Sequence, residues 1–208
     1  MTKLIQHDKL VQLSLFLCFV SIFACKLQTS KNQTREEYLE SINEVYKKPT
    51  IRIEGQDTIY SYEPKLLVNS QIAVFNEMPD MDNKMHSYQS LLGKTKLLYF
   101  WFTTCPPCIE SKPCLNHIQQ KFANKNIEFI SFCRNSKSLV NESLNDKPFN
   151  FKILPDSDKL IDSVFNYSFG YPLLLIVDKQ NTIKDVVRFP CFVSDAEWER
   201  KLGDMEFD

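Results

Sequence analysis

Leu97-Leu98-Tyr99-Phe100-Trp101-Phe102-Thr103-Thr104-Cys105-Pro106-Pro107-Cys108 is the stretch of sequence that decides the fold. Its first six residues form a continuous apolar run, which predicts a β-strand buried on both faces of a sheet. The following residues predict a helix, with Cys114, Ile118 and Phe122 four residues apart on its core-facing side. A buried strand therefore leads through a Cys-x-x-Cys pair directly into a helix.

The residues after this helix predict three more strands and two more helices. The strands are expected at residues 127–132, 173–177 and 182–189, with a further short element at 149–154. Asp156 or Ser157 is expected to cap one helix, and a capping box at residues 194–197 opens the last one. Parallel pairing first and a hairpin last imply an α/β fold, a mixed central sheet with helices on both faces.

Upstream of residue 66, the sequence predicts a helix and a hairpin. A capping box at residues 34–37 precedes apolar residues at helical spacing. Apolar residues on both sides of Gly55-Gln56-Asp57 indicate a β-hairpin. Residues 26–65 are compatible with a spacer, an added sheet edge or a docking surface.

The first 24 residues differ from the rest of the chain. Residues 1–9 carry two lysines, and residues 10–24 form an apolar run that is interrupted by Gln12 and two serines. Such a run spans about 22 Å as a helix, which is shorter than the ~30 Å hydrocarbon core of a bilayer. The pattern is typical of an export signal, with a retained membrane anchor as the alternative.

Residues 22–25, Ile-Phe-Ala-Cys, resemble the lipobox of bacterial lipoproteins. The resemblance implies lipidation of Cys25, although Phe23 stands where the motif has a smaller side chain. We therefore expect a signal peptide at 1–24, a lipid-anchored tether and N-terminal extension at 25–65, and a domain at 66–208. The net charge of −1 gives the chain no overall attraction to nucleic acid.

Cys105 and Cys108 are placed for thiol–disulfide chemistry. At a helix N-terminus, free N–H groups and the helix dipole stabilise a thiolate and lower the pKa of a cysteine. Cys105 is therefore expected to attack a substrate disulfide, and Cys108, one turn further on, to resolve the mixed disulfide. Pro106 and Pro107 are expected to support and stiffen the loop, with Trp101 in the core beneath it.

Two motifs resemble the thioredoxin superfamily, especially its membrane-anchored reductases of the cytochrome c maturation type. Phe100-Trp101, the Cys-Pro-Pro-Cys pair and Pro113 stand where this family has them, and Pro113 implies a kink in the helix. Residues 169–172, Phe-Gly-Tyr-Pro, resemble the cis-proline loop of the family, which faces the cysteine pair. The resemblance covers residues 66–205 and implies a thioredoxin fold in which Tyr171 and Pro172 hold a substrate peptide.

Two positions depart from the family pattern. Tyr99 replaces the buried aspartate that thioredoxin has six residues before its first cysteine. The proton acceptor for Cys108 is therefore not identified, and Glu110 or water could take this part. Thr104 replaces the usual tryptophan before the pair, which makes the rim around the sulfur smaller and more polar.

The other cysteines are expected to serve packing. Five cysteines follow Cys25, and an odd number with one tight pair fits a redox site better than a disulfide framework. Cys114, on the core face of its helix, and Cys133, at the end of a strand, are expected to behave as small apolar residues. Cys191, in the last loop, is expected to be the most exposed, with an auxiliary redox role as the alternative.

Three other functions are compatible with parts of the pattern. A structural zinc site needs a second pair of ligands, which Cys114 and His117 do not supply. A peroxidase of the same fold would have a lone reactive cysteine after a proline, whereas Cys105 has a partner three residues on. A lipoprotein binding module would keep Cys105 and Cys108 as a structural disulfide.

The sequence thus predicts an enzyme, a thiol–disulfide oxidoreductase of the bacterial cell envelope that faces the periplasm. We expect it to act as a reductant on exported cysteine-containing proteins and to be supplied by an upstream membrane thiol donor. The cysteines carry the electrons themselves, so neither a cofactor nor a metal is expected.

Overall fold

A computed structural model describes residues 34–203, which belong to one compact unit. The predicted export signal and Cys25 lie outside the described residues. In chain order, the elements are α1 (Arg35–Tyr46), β1 (Thr50–Glu54), β2 (Asp57–Ser61), β3 (Met78–Pro79), β4 (Met85–His86), β5 (Thr95–Trp101), α2 (Pro106–Lys121), β6 (Ile127–Cys133), α3 (Lys137–Asp146), β7 (Lys152–Leu154), β8 (Leu173–Val177), β9 (Ile183–Val187) and α4 (Asp195–Gly203).

Five of these strands form the central sheet, in the order β7-β6-β5-β8-β9. β5 pairs in parallel with β6, and β6 with β7, whereas β8 is antiparallel to both β5 and β9. Every residue of β5 is buried, as its continuous apolar run predicts. The predicted mixed sheet with a terminal hairpin is confirmed.

Side chains alternate across β5 and enter two apolar cores on opposite faces of the sheet. Leu98 and Phe100 belong to the core that includes residues of α1, whereas Tyr99 and Trp101 belong to the core that includes residues of α2 and α4. Helices therefore cover both faces. Each large apolar side chain that is fully buried in these cores contributes roughly 1.5–3 kcal/mol.

The helix α1 covers part of the first core. The Oγ of Thr34 accepts the N–H of Glu37, and the Glu37 carboxylate accepts the N–H of Thr34, so the predicted capping box is present. The Tyr46 hydroxyl donates to the carbonyl of Asn166 at 2.8 Å. The buried face of this helix consists of Tyr38, Ile42 and Val45.

Two small hairpins lie between α1 and β5. β1 and β2 are antiparallel and turn at Gly55, whose φ of +64° favours glycine, so the predicted hairpin is confirmed. β3 and β4 form a second, shorter pair. Beside it, the buried side chains of His86 and Asp80 are hydrogen-bonded, with His86 Nε2 2.8 Å from Asp80 Oδ2.

Two segments differ from the sequence-based prediction. That prediction contains no helix at α3, a short surface helix whose buried residue is Val140. Ser157 does not cap the next helical segment, since its hydroxyl donates backwards to the carbonyl of Leu154 at 2.9 Å. That segment, Leu160–Phe165, consists of wide π-type turns without a side-chain cap. Among residues 34–203, no helix has the length and apolar character needed to cross a membrane.

Candidate active site

Cys105 and Cys108 form a disulfide at the N-terminus of α2, with their Cα atoms 5.2 Å apart. Cys105 is the N-cap residue, and its Sγ accepts a hydrogen bond from the backbone N–H of Cys108 at 3.3 Å. Pro106 begins the helix, at a position where a backbone N–H has no hydrogen-bond partner within the helix, so proline loses no hydrogen bond there. Pro106 and Pro107 are both exposed. The Cys105 sulfur thus occupies the position at which a helix stabilises negative charge.

The sheet brings the Tyr171–Pro172 loop to this cysteine pair. β8 runs antiparallel to β5, and Leu173 is paired with Phe100. Pro172, directly before β8, therefore lies at the same edge of the sheet as the end of β5, where the chain enters the cysteine loop. The Tyr171–Pro172 peptide bond is cis. The structure thus brings together the two motifs that the sequence singled out.

Apolar side chains surround the two sulfur atoms. Cys105 is 2% exposed, and Cys108 and Trp101 are fully buried in the same core. The Tyr99 hydroxyl donates to the carbonyl of Cys108 at 3.2 Å. Because burial raises the pKa of the Tyr99 phenol well above its usual value, this hydroxyl is a donor at neutral pH. Tyr99 therefore does not supply the proton acceptor that thioredoxin has at this position.

Lys112, on the helix α2 itself, is a buried cation that was not among the site residues predicted from the sequence. Its Nζ lies 4.5 Å from the centroid of the Trp101 ring, within the range of a cation–π contact. It also donates to Ser143 Oγ at 3.1 Å and to the carbonyl of Lys147 at 3.3 Å. Burial lowers the pKa of this ammonium group. The signal in the sequence was its position four residues after Cys108, on the same face of α2.

An ion pair fixes the side chain of Tyr171. Arg134, directly after β6, forms two hydrogen bonds of 2.6 Å with the carboxylate of Asp162 and donates to the Tyr171 hydroxyl at 3.1 Å. The Phe102 ring meets the Tyr171 ring edge-on, with centroids 5.4 Å apart. No local sequence pattern predicts this cluster, because its members come from four separate segments.

Gly170 lets the chain pass close to an arginine before the cis-proline. Its φ is +93°, and a Cβ atom there would lie 3.0 Å from Arg188 Nη2. Arg188 Nη1 donates to the carbonyl of Phe169 at 2.7 Å. The positive φ therefore favours glycine at this position, and a larger residue would in addition displace the end of the Arg188 side chain.

The structure contradicts the expectation that Cys114 and Cys191 serve packing. The two cysteines form a second disulfide, 77 residues apart in sequence, with Cα atoms 5.5 Å apart. Cys114 is half-buried and Cys191 is exposed, so Cys114 lies at the side of α2 rather than in the core. The expectation failed because helical spacing places Cys114 only approximately, and the approach of the loop after β9 depends on the whole fold.

Cys133 is the one free cysteine among the described residues, and it is buried as predicted. Burial raises the pKa of its thiol to about 12. A thiol in this state is unreactive, because the thiolate is the nucleophile. Within residues 34–203, no group of three or more His, Cys, Asp or Glu side chains is arranged to hold a metal ion.

A comparison with protein families finds one match that covers both motifs of the site. The model of the Redoxin family matches residues 67–190, which is more than half of the chain. The matched region begins before β3 and ends just after β9. It therefore includes the central sheet, the cysteine pair and the cis-proline loop.

Individual relatives share part of the sequence and the fold. Thioredoxin-like protein YneN of Bacillus subtilis is 28% identical over 61% of this chain and 75% of its own length. Thiol-disulfide oxidoreductase ResA of Bacillus cereus is 26% identical over 52% of this chain and 62% of its own. A thiol:disulfide interchange protein of Chlorobium tepidum superimposes with a TM-score of 0.54 at 20% identity, over 66% of this chain and 96% of that one. This structural likeness confirms the predicted thioredoxin-like fold.

Proposed function

The chain belongs to the Redoxin family and is a thioredoxin-like thiol–disulfide oxidoreductase, and from this premise we propose that Cys105 and Cys108 are its catalytic pair. One observation carries this proposal, the hydrogen bond from the Cys108 N–H to the Cys105 sulfur at the start of α2. In the reduced protein, the same N–H group and the helix dipole act on the Cys105 thiolate. Such placement lowers a cysteine pKa from about 8.5 toward the range of about 3.5–7.5.

The proposed cycle uses the two sulfur atoms in turn. The Cys105 thiolate attacks one sulfur of a substrate disulfide, which forms a mixed disulfide and releases the other substrate sulfur as a thiolate. The Cys108 thiol loses its proton and attacks Cys105 Sγ, which releases the second substrate thiol. Two electrons have then moved to the substrate, and the protein is left with the disulfide that the structure contains.

We assign substrate positioning to Tyr171 and Pro172. Arg134 and Asp162 hold the Tyr171 side chain, so the backbone of this loop keeps a fixed place at the edge of the sheet beside the cysteine pair. An extended peptide can form main-chain hydrogen bonds with the backbone groups that Tyr171 offers in this loop. Pro106 and Pro107 support the loop, because their fixed φ angles reduce its freedom.

The direction of the reaction and its place in the cell form the finer part of the proposal. We propose a reductant of exported cysteine-containing proteins in the bacterial envelope, held at the membrane by a lipid on Cys25 and re-reduced by an upstream membrane thiol donor. The export-signal pattern of residues 1–24 and the similarity to ResA support it. In this proposal, residues 25–65 form the tether and extension, and residues 66–208 the catalytic domain.

Trapping of the mixed disulfide tests the catalytic assignment. In Cys108→Ser, the resolving thiol is missing, so an adduct with a disulfide-bonded protein such as insulin accumulates. Peptide mass spectrometry should locate the adduct at Cys105. The variant Cys105→Ser should form no adduct and should reduce insulin only at the background rate.

Cys133→Ala is the matched control, because it removes a thiol outside the site, and it should keep its activity. If Cys105→Ser reduces insulin as fast as the unmodified chain, the catalytic assignment is wrong. The pair would then be a structural disulfide, as in the binding-module alternative.

A further inference from the structure

The proposed reaction does not use the disulfide Cys114–Cys191. It joins the middle of α2, directly after Pro113, to the one-turn helix Pro190–Phe192 that follows β9. Both disulfides therefore include a cysteine of α2. The two disulfides lie on different sides of α2, since Cys108 is fully buried in the core whereas Cys114 is half-buried.

The two residues joined by this second bond differ in their exposure to solvent. Cys191 is an exposed residue in a short turn, and Cys114 is half-buried in a helix. Thiol–disulfide exchange requires that a thiolate approach one of the two sulfurs, so access decides which sulfur is attacked. A thiolate from solvent therefore reaches Cys191 first.

The bond also holds an aromatic turn in place. Cys191 stands between Phe189 and Phe192, which are 58% and 88% exposed and have ring centroids 6.2 Å apart. Its Sγ lies 3.8 Å from the carbonyl oxygen of Glu110 in α2. A groove of about 200 Å³ beside this turn is lined by Pro107, Glu110, Ser111, Phe189, Cys191 and Phe192. It runs from the catalytic loop to the second disulfide.

We propose that Cys114–Cys191 is a second thiol–disulfide exchange site, which takes a dithiol as its substrate and whose redox state sets the position of the aromatic turn. Oxidised, the bond holds the turn against α2 and maintains the groove beside Pro107. When the disulfide is reduced, the turn is attached to α2 by non-covalent contacts alone and opens locally. This site works without Cys105 and Cys108, so it does not depend on the function proposed for that pair.

The exchange proceeds in two balanced steps. One thiolate of the dithiol attacks Cys191 Sγ, the Cys114–Cys191 bond breaks, and Cys114 leaves as a thiolate that takes a proton from water. The second thiol of the dithiol loses its proton and attacks the dithiol sulfur bonded to Cys191, which releases Cys191 as a thiolate. The dithiol becomes a disulfide, and two electrons have moved to Cys114 and Cys191.

Reduction of the full-length Cys105→Ser/Cys108→Ser variant with dithiothreitol isolates this site. Alkylation followed by peptide mass spectrometry reads the redox state of Cys114 and Cys191, and circular dichroism follows folding in the same samples. We expect the bond to be reduced reversibly while the circular dichroism spectrum stays native. Reduction that occurs only as urea unfolds the protein would overturn the proposal.

A matched pair of variants tests which sulfur is attacked. In the same background, Cys114→Ser leaves Cys191 free, and Cys191→Ser leaves Cys114 free. With the aromatic disulfide 5,5′-dithiobis(2-nitrobenzoate) as the probe, Cys191 should react several-fold faster than Cys114. Equal reaction rates, or a faster reaction of Cys114, would contradict the proposal that the attacking thiolate approaches Cys191 Sγ.

Limited proteolysis tests the movement of the turn. Chymotrypsin cleaves after phenylalanine, and cleavage within a folded domain requires local opening of the segment around the cleaved bond. Reduction of Cys114–Cys191 should therefore raise the rate of cleavage between Phe192 and Val193 several-fold, and Phe192→Ala should remove this cleavage. An unchanged rate would show that the bond does not hold the turn.

Discussion

The two disulfides of this protein share one helix but differ in the features that govern their chemistry. Cys105–Cys108 links residues three apart and is almost fully buried, whereas Cys114–Cys191 links residues 77 apart and leaves Cys191 exposed. The first sulfur of the CPPC pair accepts an N–H group, while Cys191 contacts a carbonyl oxygen. An N–H group stabilises a thiolate and a carbonyl oxygen does not. The reactivity of the first pair thus follows from electrostatics, and that of the second from access.

If Cys105 and Cys108 are the catalytic pair, as proposed, one helix separates catalysis from attachment. The N-terminus of α2 provides unpaired N–H groups, which only residues at that end can use. The middle of the helix provides a rigid point to which a distant segment can be attached. Each cysteine pair therefore takes its properties from its position along α2.

The largest expected effect is on stability, when the two disulfides are removed separately. In the chain-entropy account, closing a loop with a separation of 77 residues contributes about 4.5 kcal/mol, and closing one with a separation of three contributes about 2 kcal/mol. We therefore expect Cys114→Ser/Cys191→Ser to lower the free energy of unfolding in urea more than Cys105→Ser/Cys108→Ser does. Equal losses would show that the second bond does not act by restricting the unfolded chain.

A smaller effect on stability should depend on pH and should be shared by both disulfide variants. Lys96, in β5, is fully buried and donates to the Leu91 carbonyl at 2.9 Å and to Asn181 Oδ1 at 2.5 Å. Burial lowers the pKa of its ammonium group to about 7. Since a free lysine has a pKa of about 10.4, the unfolded chain holds one more proton than the folded chain between these values.

Stability should therefore rise with pH from about 7 to about 10, by about 1.4 kcal/mol per pH unit at most. Lys96→Met should remove this slope in urea unfolding at several pH values. Both disulfide variants should keep it, because an oxidised or absent cysteine pair has no proton to release. A slope that persists in Lys96→Met would mean that another group titrates in this range.

The smallest expected effect distinguishes the immediate surroundings of the two bonds. Tyr99→Phe removes the hydrogen bond to the carbonyl of Cys108, which contributes about 1 kcal/mol. If this hydrogen bond differs in strength between the oxidised and the reduced protein, its loss shifts the reduction potential of the Cys105–Cys108 pair. The shift is about 20 mV at most, since 30 mV corresponds to about 1.4 kcal/mol. The potential of Cys114–Cys191 should not change, and a shift there would contradict the independence of the two sites.

The sequence predicted those parts of the site that depend on local pattern. The run from Leu97 to Phe102 is apolar enough to identify a buried strand, and a proline-containing cysteine pair after it marks a helix start. The resemblance of residues 169–172 to the cis-proline loop of the thioredoxin superfamily implied that Pro172 lies beside that start, and the pairing of Leu173 with Phe100 agrees with it. The mixed sheet and its terminal hairpin follow from the same kind of evidence.

The remaining features depend on contacts between distant segments. Cys114 and Cys191 cannot be paired from their spacing, because their approach requires the folded path of all the elements between them. The cluster of Arg134, Asp162 and Tyr171 has the same origin. The helix α3 was missed for a different reason, since only three of its ten residues are apolar and its buried residue is Val140.

The most direct test of the central claim is the equilibrium redox titration of both disulfides in one sample. Graded redox buffers, alkylation and peptide mass spectrometry read each pair separately, and Cys133 should stay unmodified in the folded protein as an internal control. We predict a two-electron transition of Cys105–Cys108 between roughly −180 and −270 mV, separate from the transition of Cys114–Cys191. If Cys105–Cys108 stays oxidised below about −300 mV, the pair is a structural disulfide and the catalytic proposal is wrong.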